Sequence, residues 1–280
     1  MFSPLHVASR RQTPREAERL GGDVVWGWSL CPLIVFVLLG LVVWPVVAAS
    51  EPIDPHAIIQ RMATAYEGIR DYTALFLKQE QIDGQLQPLE TIELRFQEPF
   101  KVYMAWRDPY PGRVIAYVEG ENKNKIQVNP GGALQFLRLS LDPEGALATR
   151  GSHSSVRQVG LHNMIALLTA QYQRGMHEGR IALHFRGEEL VDAHPAYRLE
   201  WIGPDNKNAG YYAYRGDIWV DKTSYLPTRI DLYDWENQLY ASYAYHRLQL
   251  NPGLTREAFT LQPVPATPAG QAARDQGASQ

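Results

Sequence analysis

Histidines are the side chains in this sequence with the most obvious potential for chemistry, but none has the spacing of a catalytic or metal site. His153 lies in a predicted Gly/Ser-containing loop and could be catalytic or bind a metal, although a solvated loop histidine is the simpler interpretation. His162 opens a predicted helix, where capping or surface exposure is the simpler interpretation. His184, His194 and His246 lie on or beside predicted strands without ligand-like spacing. The sequence therefore predicts no metal site and no cofactor.

The carboxylates allow a similar test for acid–base chemistry. Asp231 and Asp234 lie near a predicted strand end, where paired carboxylates could act as general acid and base. Turn formation is the simpler role, and Arg229 with Asp231 is interpreted as an exposed charge pair. Glu119 and Glu121 are typical of a turn. Because the common nucleophile, zinc-protease and phosphate-binding motifs are also absent, we predict that the protein is not an enzyme. A hydrolase is the disfavoured alternative.

Tyrosines form the remaining set with a chemical possibility. A row of them could bind a sugar ring, but packing across neighbouring strands is their commoner role. The members are Tyr211, Tyr212, Tyr214, Tyr240, Tyr243 and Tyr245.

Composition limits the class of protein. The chain has 280 residues, of which 45% are hydrophobic, 20% charged and 11% aromatic, so it is neither a disordered chain nor a polytopic membrane protein. The net charge of −3 disfavours nucleic-acid binding, which needs a basic surface to neutralise phosphates. The single cysteine, Cys31, excludes a disulfide within the chain.

An uncharged run from Val24 to Ala49 follows all four basic residues of the first fifty positions. It is long enough for a signal peptide or a membrane-spanning helix, and small residues favour cleavage after Ala49 or Ser50. Both interpretations place the following chain outside the cytoplasm, because basic residues stay inside. Cys31 precedes most of the apolar run, which is the wrong order for a lipoprotein cysteine. We divide the chain into a signal peptide or N-terminal membrane anchor (1–50), one folded domain (51–262) and a disordered tail (263–280).

Two helices are predicted in the folded domain. The first begins with Asp54 as N-cap and Pro55 as first helical residue, and extends to about Arg70. The second, from about Gly160 to Gln173, follows a polar loop over Asp142–Ser155.

Most of the remaining sequence alternates with a period of two, which predicts antiparallel strands. Asp83-Gly84 predicts a tight hairpin turn between the first two strands, and a short helical turn is expected at Thr255–Phe259. The predicted strands are Tyr72–Gln81, Leu89–Gln97, Phe100–Arg107, Arg113–Val118, Lys125–Val128, Ala133–Leu139, Ile181–Phe185, Ala196–Ile202, Tyr211–Val220, Tyr225–Trp235 and Leu239–Leu248.

A meander of this length must curl, and its concave apolar face needs a cover. We therefore predict a mainly β (α+β) fold, in which a curled antiparallel sheet forms an unclosed barrel and helices cover its concave face. The residues expected to line a ligand cavity on that face are Ile92, Leu94, Phe96, Val102, Met104, Trp106, Ile218, Val220, Ile230 and Leu232. The residues expected to form a lid over it are Leu161, Met164, Ile165 and Leu168.

Several segments, in this order and spacing, resemble the periplasmic lipoprotein-carrier superfamily, the LolA/LolB/RseB-like proteins. They are Asp71–Phe76, Pro99–Trp106, Glu119-Gly120, Gly216–Asp221, Leu226–Ile230, Asp234 and Leu250–Phe259. The chain looks closest to an uncharacterised branch. Carriers tend to place an arginine that helps to hold the lid shut where this sequence has Glu98.

The resemblance implies an unclosed barrel with a helical lid over an apolar cavity, in agreement with the periodicity. It also implies binding of lipid or of lipoprotein acyl chains, and outer membrane biogenesis is the associated process. We therefore expect a periplasmic, monomeric binding protein, either free or anchored in the inner membrane through Val24 to Ala49. An envelope-stress regulator with an envelope protein partner is the first alternative, and an envelope hydrolase is the second.

Overall fold

A computed structural model describes residues 52–261. Three α-helices are present in this part of the chain: α1 (Pro55–Thr64), α2 (Ala146–Thr149) and α3 (Leu161–Glu178). Twelve strands are present: β1 (Asp71–Ile82), β2 (Gln85–Leu86), β3 (Glu90–Gln97), β4 (Lys101–Asp108), β5 (Val114–Val118), β6 (Ile126–Asn129), β7 (Leu139–Leu141), β8 (Ala182–Val191), β9 (His194–Ile202), β10 (Arg215–Asp221), β11 (Pro227–Tyr233) and β12 (Leu239–Leu250).

All twelve strands belong to one antiparallel sheet. Its order is β7-β6-β5-β4-β3-β1-β12-β11-β10-β9-β8, with β2 paired to the end of β1. The pairing of β1 with β12 joins the N-terminal and C-terminal halves of the meander. Because β7 and β8 pair on one side only, the sheet does not close. The predicted fold class is confirmed.

Side-chain alternation explains why these residues form strands. In β3, Ile92, Leu94 and Phe96 are buried, whereas Glu93 and Arg95 between them are half-buried. Such alternation fits a strand with one face on a core and the other toward solvent. The pattern read from the sequence therefore gave the correct inner face for this strand.

Irregular pairing helps the sheet to curl. The register shifts between Thr73 and Leu75 where β1 meets β12, and between Phe185 and Gly187 where β8 meets β9. Shifts of this kind mark β-bulges or other irregularities of pairing, and a bulge bends a strand and increases its twist. They lie on both halves of the sheet, so both halves bend.

The first helix starts as predicted but is shorter. The Asp54 side chain accepts a hydrogen bond of 2.9 Å from the backbone N–H of His56, which makes Asp54 the N-cap. The helix ends at Thr64 rather than near Arg70, because the chain turns through Gly68 at a φ of 83° to enter β1. The second predicted helix, α3, instead continues beyond Gln173 to Glu178.

The segment between β7 and β8 crosses from one edge of the sheet to the other. It contains α2, within the region predicted to be a loop, and then α3. Helix α1 packs against α3, with a hydrogen bond of 2.8 Å between His56 Nδ1 and the Tyr172 hydroxyl. We call residues 142–181 the crossing segment.

Two predicted strands are partly wrong. Residues 133–139 do not form a strand, because Gly131 and Gly132 adopt positive φ and start a 3-10 turn, and β7 begins only at Leu139. Residues 211–214 precede β10 rather than belong to it, since Tyr211 turns its ring toward Trp201 after a 3-10 turn. The other predicted strands are present with small differences at their ends, except that β8 continues six residues beyond the predicted end at Phe185 to Val191.

A second, smaller core lies on the outer face of the sheet. Tyr103, Ala105, Val114 and Ala116 are buried there against Phe259. The segment that covers them includes a 3-10 turn at residues 256–259, close to the predicted helical turn. This cover explains why β4 is buried on both faces.

The predicted signal or anchor segment and the predicted disordered tail lie outside the described residues. Within residues 52–261, no helix combines the length and apolar character needed to cross a membrane.

Candidate ligand-binding cavity

A cavity of about 870 Å³ lies between the sheet and the crossing segment. Leu139 of β7 and Leu183 of β8 both border it, although these strands are at opposite edges of the sheet. The sheet must therefore curl around the cavity, and its concave face forms the wall. Met164 and Leu168 of α3 border it from the other side.

Half of the fourteen residues predicted for the cavity and its lid border the cavity. They are Met104, Trp106, Ile218, Ile230, Leu232, Met164 and Leu168. Whether these side chains contact a ligand stays a prediction.

The other seven lie in the same hydrophobic core but do not border the cavity. They are Ile92, Leu94, Phe96, Val102, Val220, Leu161 and Ile165. Packing of the crossing segment explains part of this difference. A Cβ atom placed on Gly160 would lie 2.9 Å from the Phe96 ring, so the chain fills the space above Phe96.

The wall changes from apolar to charged along β1. Phe76, Lys78 and Glu80 all border the cavity, because residues two apart share one face of a strand. Lys78 is paired in register with Glu90 of β3 and with Tyr243 of β12, which also border the cavity. Three adjacent strands thus place polar side chains together on the concave face. We call Lys78, Glu80, Glu90 and Tyr243 the charged wall.

Glu80 is the most buried member of the charged wall, with 2% of its side chain exposed. Its Oε1 accepts a hydrogen bond of 2.6 Å from the Tyr243 hydroxyl, and its Oε2 lies 3.0 Å from Lys78 Nζ. The backbone N–H of His153 also donates to Oε2. Burial opposes ionisation of this carboxyl, but Lys78 and Tyr243 outweigh burial and hold the pKa of Glu80 below its usual value. Glu80 is therefore a buried carboxylate whose charge is compensated.

Glu90 extends the charged wall toward β4. The Trp106 indole Nε1 donates a hydrogen bond of 2.8 Å to Glu90 Oε2, which lies 3.7 Å from Lys78 Nζ. The Arg113 guanidinium lies 5.6 Å from the Trp106 ring centroid and 3.9 Å from that of Tyr110. Arg113 borders the cavity, so an arginine stands beside the charged wall.

Buried tyrosine hydroxyls in the cavity stay protonated. Burial, with the nearby Glu80 carboxylate, raises the pKa of Tyr243 far above its usual range. Burial also raises the pKa of Tyr212 to about 12. Both side chains border the cavity, so they offer neutral hydroxyl groups to its contents.

The opening of the cavity has an apolar rim. Leu147 of α2 and Leu167 of α3 border the cavity with 73% and 41% of each residue exposed. Tyr110 and Leu139 border it as well and are also exposed. Single exposed apolar residues are common on protein surfaces, but four around one opening form a patch that favours contact with an apolar surface or ligand.

The start of α3 is fixed to the sheet. Tyr72 is fully buried, and its ring stacks on Phe96 with 5.2 Å between ring centroids. Near this end, Glu98 Oε1 accepts a hydrogen bond from the Tyr66 hydroxyl, at the position where carriers tend to have an arginine. Glu98 thus connects the chain just after α1 to the turn between β3 and β4.

His153 is not the solvated loop residue favoured by the sequence. Its ring stacks on Tyr240 with 4.2 Å between centroids, and its Nε2 hydrogen-bonds the Gln81 carbonyl at 2.7 Å. These contacts fix the loop against the end of β1. In the described part of the chain, no three His, Cys, Asp or Glu side chains cluster in a way that could hold a metal ion.

Asp231 lies outside the cavity, and its predicted role in a turn is wrong. It is a buried residue in the middle of β11, where it pairs with Arg229 at 2.6 Å and accepts a hydrogen bond from Ser242. The predicted charge pair is therefore present, although its carboxylate is buried. Asp234 does form a turn, with two backbone N–H groups donating to its side chain.

The predicted tyrosine row does not form one flat platform. Tyr243, Tyr245 and Tyr212 border the cavity, whereas Tyr211 packs on Trp201 and donates a hydrogen bond to Glu178. The rings pack across strands, as the simpler interpretation expected.

Sequence reasoning missed the charged wall. A signal for it was present, since Lys78 and Glu80 share the parity of Phe76 on a predicted strand. The register of β3 is needed to place Glu90 beside Lys78, and the path of the chain into β5 is needed to place Arg113 beside the charged wall.

Comparisons with known proteins give a family and distant structural similarities. A family model described as "Protein of unknown function (DUF1571)" matches residues 69–265. No curated protein matches the sequence.

Three solved structures illustrate the structural similarity. MucB, also solved in a Pseudomonas aeruginosa complex with MucA, is 16% identical with a TM-score of 0.45; the match covers 75% of this chain but only 63% of MucB. A LolA superfamily protein from Nitrosomonas europaea is 11% identical with a TM-score of 0.34, covering 75% of this chain and 99% of that one. The lipoprotein LppX of Mycobacterium tuberculosis is 14% identical with a TM-score of 0.42, covering 72% and 99%.

Proposed function

This chain belongs to the DUF1571 family of proteins of unknown function, and we propose that it is an exported envelope protein that binds lipid or lipoprotein acyl chains in its cavity. One observation carries the proposal: an open cavity of about 870 Å³ with a largely aliphatic and aromatic wall between the curled sheet and α3. Its volume lies in the range of cavities that enclose small-molecule ligands.

The expected binding free energy favours reversible binding of one acyl chain. Burial of a sixteen-carbon chain is worth roughly 13 kcal/mol, at about 0.8 kcal/mol for each methylene group. Association costs of about 4–15 kcal/mol reduce this gain to a moderate affinity. A protein that collects and releases acyl chains needs an affinity of that kind.

Export is supported by the sequence before the folded domain. The uncharged run from Val24 to Ala49 follows Arg10, Arg11, Arg15 and Arg19, the order typical of a signal peptide or an anchor. Acyl chains that move between envelope membranes must cross an aqueous compartment, and a cavity could shield them from water during that step. Periplasmic location and carriage of lipid are therefore parts of one proposal.

Lipid extraction with mass spectrometry, together with a fluorescent fatty-acid titration, tests this function. We expect co-purified lipid and saturable binding of the probe. Met164→Trp should reduce binding, because the larger side chain projects from α3 into the cavity. Ala166→Trp is the matched control, since Ala166 is exposed on the same helix and does not border the cavity.

The outcomes separate clearly. Loss of binding in Met164→Trp with normal binding in Ala166→Trp supports the cavity as the acyl site. Purified protein without lipid that also fails to bind the probe would contradict the function. Equal binding by both variants would place the probe elsewhere on the protein.

Docking of an envelope protein is a second candidate, favoured by one observation. Phe136 and Leu134 are 74% and 50% exposed in the turn that leads into the open edge strand β7. Open strand edges and exposed apolar groups are common protein-binding features. A photo-crosslinking residue at position 136 should then capture one envelope protein in cells, and the same residue at exposed Leu190 on β8 is the control. Equal labelling at both sites argues against a specific partner.

A further inference from the structure

We propose that Arg113 and Arg150 form, beside the charged wall, a subsite for an anionic headgroup, a carboxylate or a phosphate, on the acyl ligand. This inference rests on the proposed function, because it concerns the polar end of the same ligand. The inference depends on two observations. Both arginines border the cavity near its opening, and the two carboxylates that border the same cavity already have partners within the protein.

The carboxylates of the charged wall are not available to a cationic headgroup. Glu80 accepts hydrogen bonds from Tyr243 and His153 and pairs with Lys78. Glu90 accepts from the Trp106 indole and lies near Lys78. Their negative charge is therefore engaged by groups of the protein itself.

The arginines, by contrast, have no such partner. Within residues 52–261, no carboxylate lies within 4.0 Å of the Arg113 or Arg150 guanidinium, whereas most arginines within the strands are paired in this way. Neither guanidinium donates a hydrogen bond to another described residue. Both side chains border the cavity.

Stacking positions Arg113 for recognition of a planar or tetrahedral anion. Its guanidinium lies 3.9 Å from the Tyr110 ring centroid, so the aromatic ring holds one face. The N–H donors around the edge stay free, and a guanidinium can donate two parallel hydrogen bonds to a carboxylate or phosphate. Stacking reduces the side-chain freedom that binding would otherwise remove.

The local charge has the sign that an anion requires. Five charged side chains border the cavity: Lys78, Arg113, Arg150, Glu80 and Glu90. Together they carry one excess positive charge, although the whole chain has a net charge of −3. Because the cavity has walls of low polarity, this excess acts over a longer range than it would in water.

The position of the arginines also gives the ligand an orientation. Arg150 is exposed, and Arg113 stacks on exposed Tyr110, so both lie at the opening. Ile218, Ile230 and Leu232, from the other half of the sheet, contribute to the apolar wall. The acyl chain would then lie along the sheet with its headgroup at the opening.

Displacement of a bound fluorescent fatty acid by four alkyl compounds of equal chain length tests this subsite in the full-length protein. The competitors are hexadecanoate, hexadecyl phosphate, hexadecanol and hexadecylamine, each below its micelle concentration. We expect both anions to bind about tenfold more tightly than the alcohol, and the amine to bind no better than the alcohol. The preference should shrink at high salt.

Substitutions then assign the preference to the two arginines. Arg113→Gln with Arg150→Gln should remove most of the tenfold preference for the anions over hexadecanol. Arg107→Gln is the matched control, since Arg107 follows Trp106 on β4, is exposed and pairs with Glu93 outside the cavity. It should retain the full preference.

Each result decides the matter. An anion preference that depends on the two arginines supports the subsite. Equal affinity for anion and alcohol, or a preference that survives the double substitution, overturns this inference but leaves the acyl-binding function in place. No binding of any competitor or of the probe overturns both.

Discussion

The hydroxyl oxygen of Tyr72 accepts a hydrogen bond of 2.9 Å from the backbone N–H of Leu161. Tyr72 belongs to β1, and Leu161 is the first residue of α3. The first backbone N–H groups of a helix have no partner within the helix. A buried side chain from the centre of the sheet satisfies one of them here and holds α3 at its starting point.

Tyr72→Phe should destabilise the protein by about 1–3 kcal/mol, because it leaves the Leu161 N–H buried without an acceptor. Chemical denaturation measures the change in the free energy of unfolding. Tyr233→Phe is the control, since Tyr233 is only half-buried and its hydroxyl has no hydrogen bond to another described residue. Equal costs for both variants would contradict this role of Tyr72.

Gly160→Ala should cost more, about 3 kcal/mol or above. Gly160 has a φ of 119°, which side chains rarely adopt, and an added Cβ would lie 2.9 Å from Phe96 and 3.1 Å from the Tyr72 hydroxyl. Gly179 at the other end of α3 has a φ of 62° and nothing within 4 Å of such a Cβ. Gly179→Ala should therefore cost only about 1 kcal/mol. Thermal or chemical unfolding of the two variants compares them directly.

The charged wall should make stability depend on acid pH. The pKa of Glu80 in the folded protein lies below its ordinary value of 4.5, so ionised Glu80 stabilises the fold above that pH. This contribution is lost as the pH falls from 4.5 through the lowered pKa.

Glu80→Gln should therefore lose about 2 kcal/mol at neutral pH and show a flatter loss of stability on acidification. Lys78→Gln should flatten the profile as well, because it removes the cation that favours ionised Glu80. Urea denaturation at a series of pH values from 7 to 3 provides the measurement. A Glu80→Gln profile parallel to that of the unmodified protein would show that Glu80 is not the titrating group.

The outer face of the sheet should affect stability but not ligand binding. Asp217 is buried on β10 and pairs with Arg215 at 2.7 Å and with Arg198 at 3.4 Å. None of these three residues borders the cavity. Asp217→Asn should cost about 1–3 kcal/mol in unfolding experiments and leave fatty-acid affinity unchanged. A large loss of affinity in folded protein would mean that the two faces are coupled.

Periodicity predicted the sheet well because its strands have one clear inner face. Ile92, Leu94 and Phe96 were placed on that face from their spacing alone, and the structure buries all three. Periodicity could not predict which inner residues border the cavity. That depends on how closely the crossing segment packs against the sheet, and Gly160 allows it to pack directly on Phe96.

The charged wall could not be predicted for a different reason. Alternation assigns Lys78 and Glu80 to an apolar inner face, a position in which an isolated charge would be costly. They are tolerated because β3 supplies Glu90 and β12 supplies Tyr243 at the matching register. The register between β1 and β3 depends on the short strand β2, whose two residues look like part of a turn in the sequence.

The crossing segment limits access to the cavity. It joins β7 to β8, so the hydrogen-bonded sheet and the covalent chain together form a complete ring around the cavity. Only residues 179–181 separate the end of α3 from β8, so outward movement of that end would pull on this edge strand. The weakest link in this ring is β7, which contributes only three residues and pairs only with β6. Peeling of β7 would widen this ring enough for a bulky molecule to pass, whereas a slender molecule could pass through the opening end first with the ring intact.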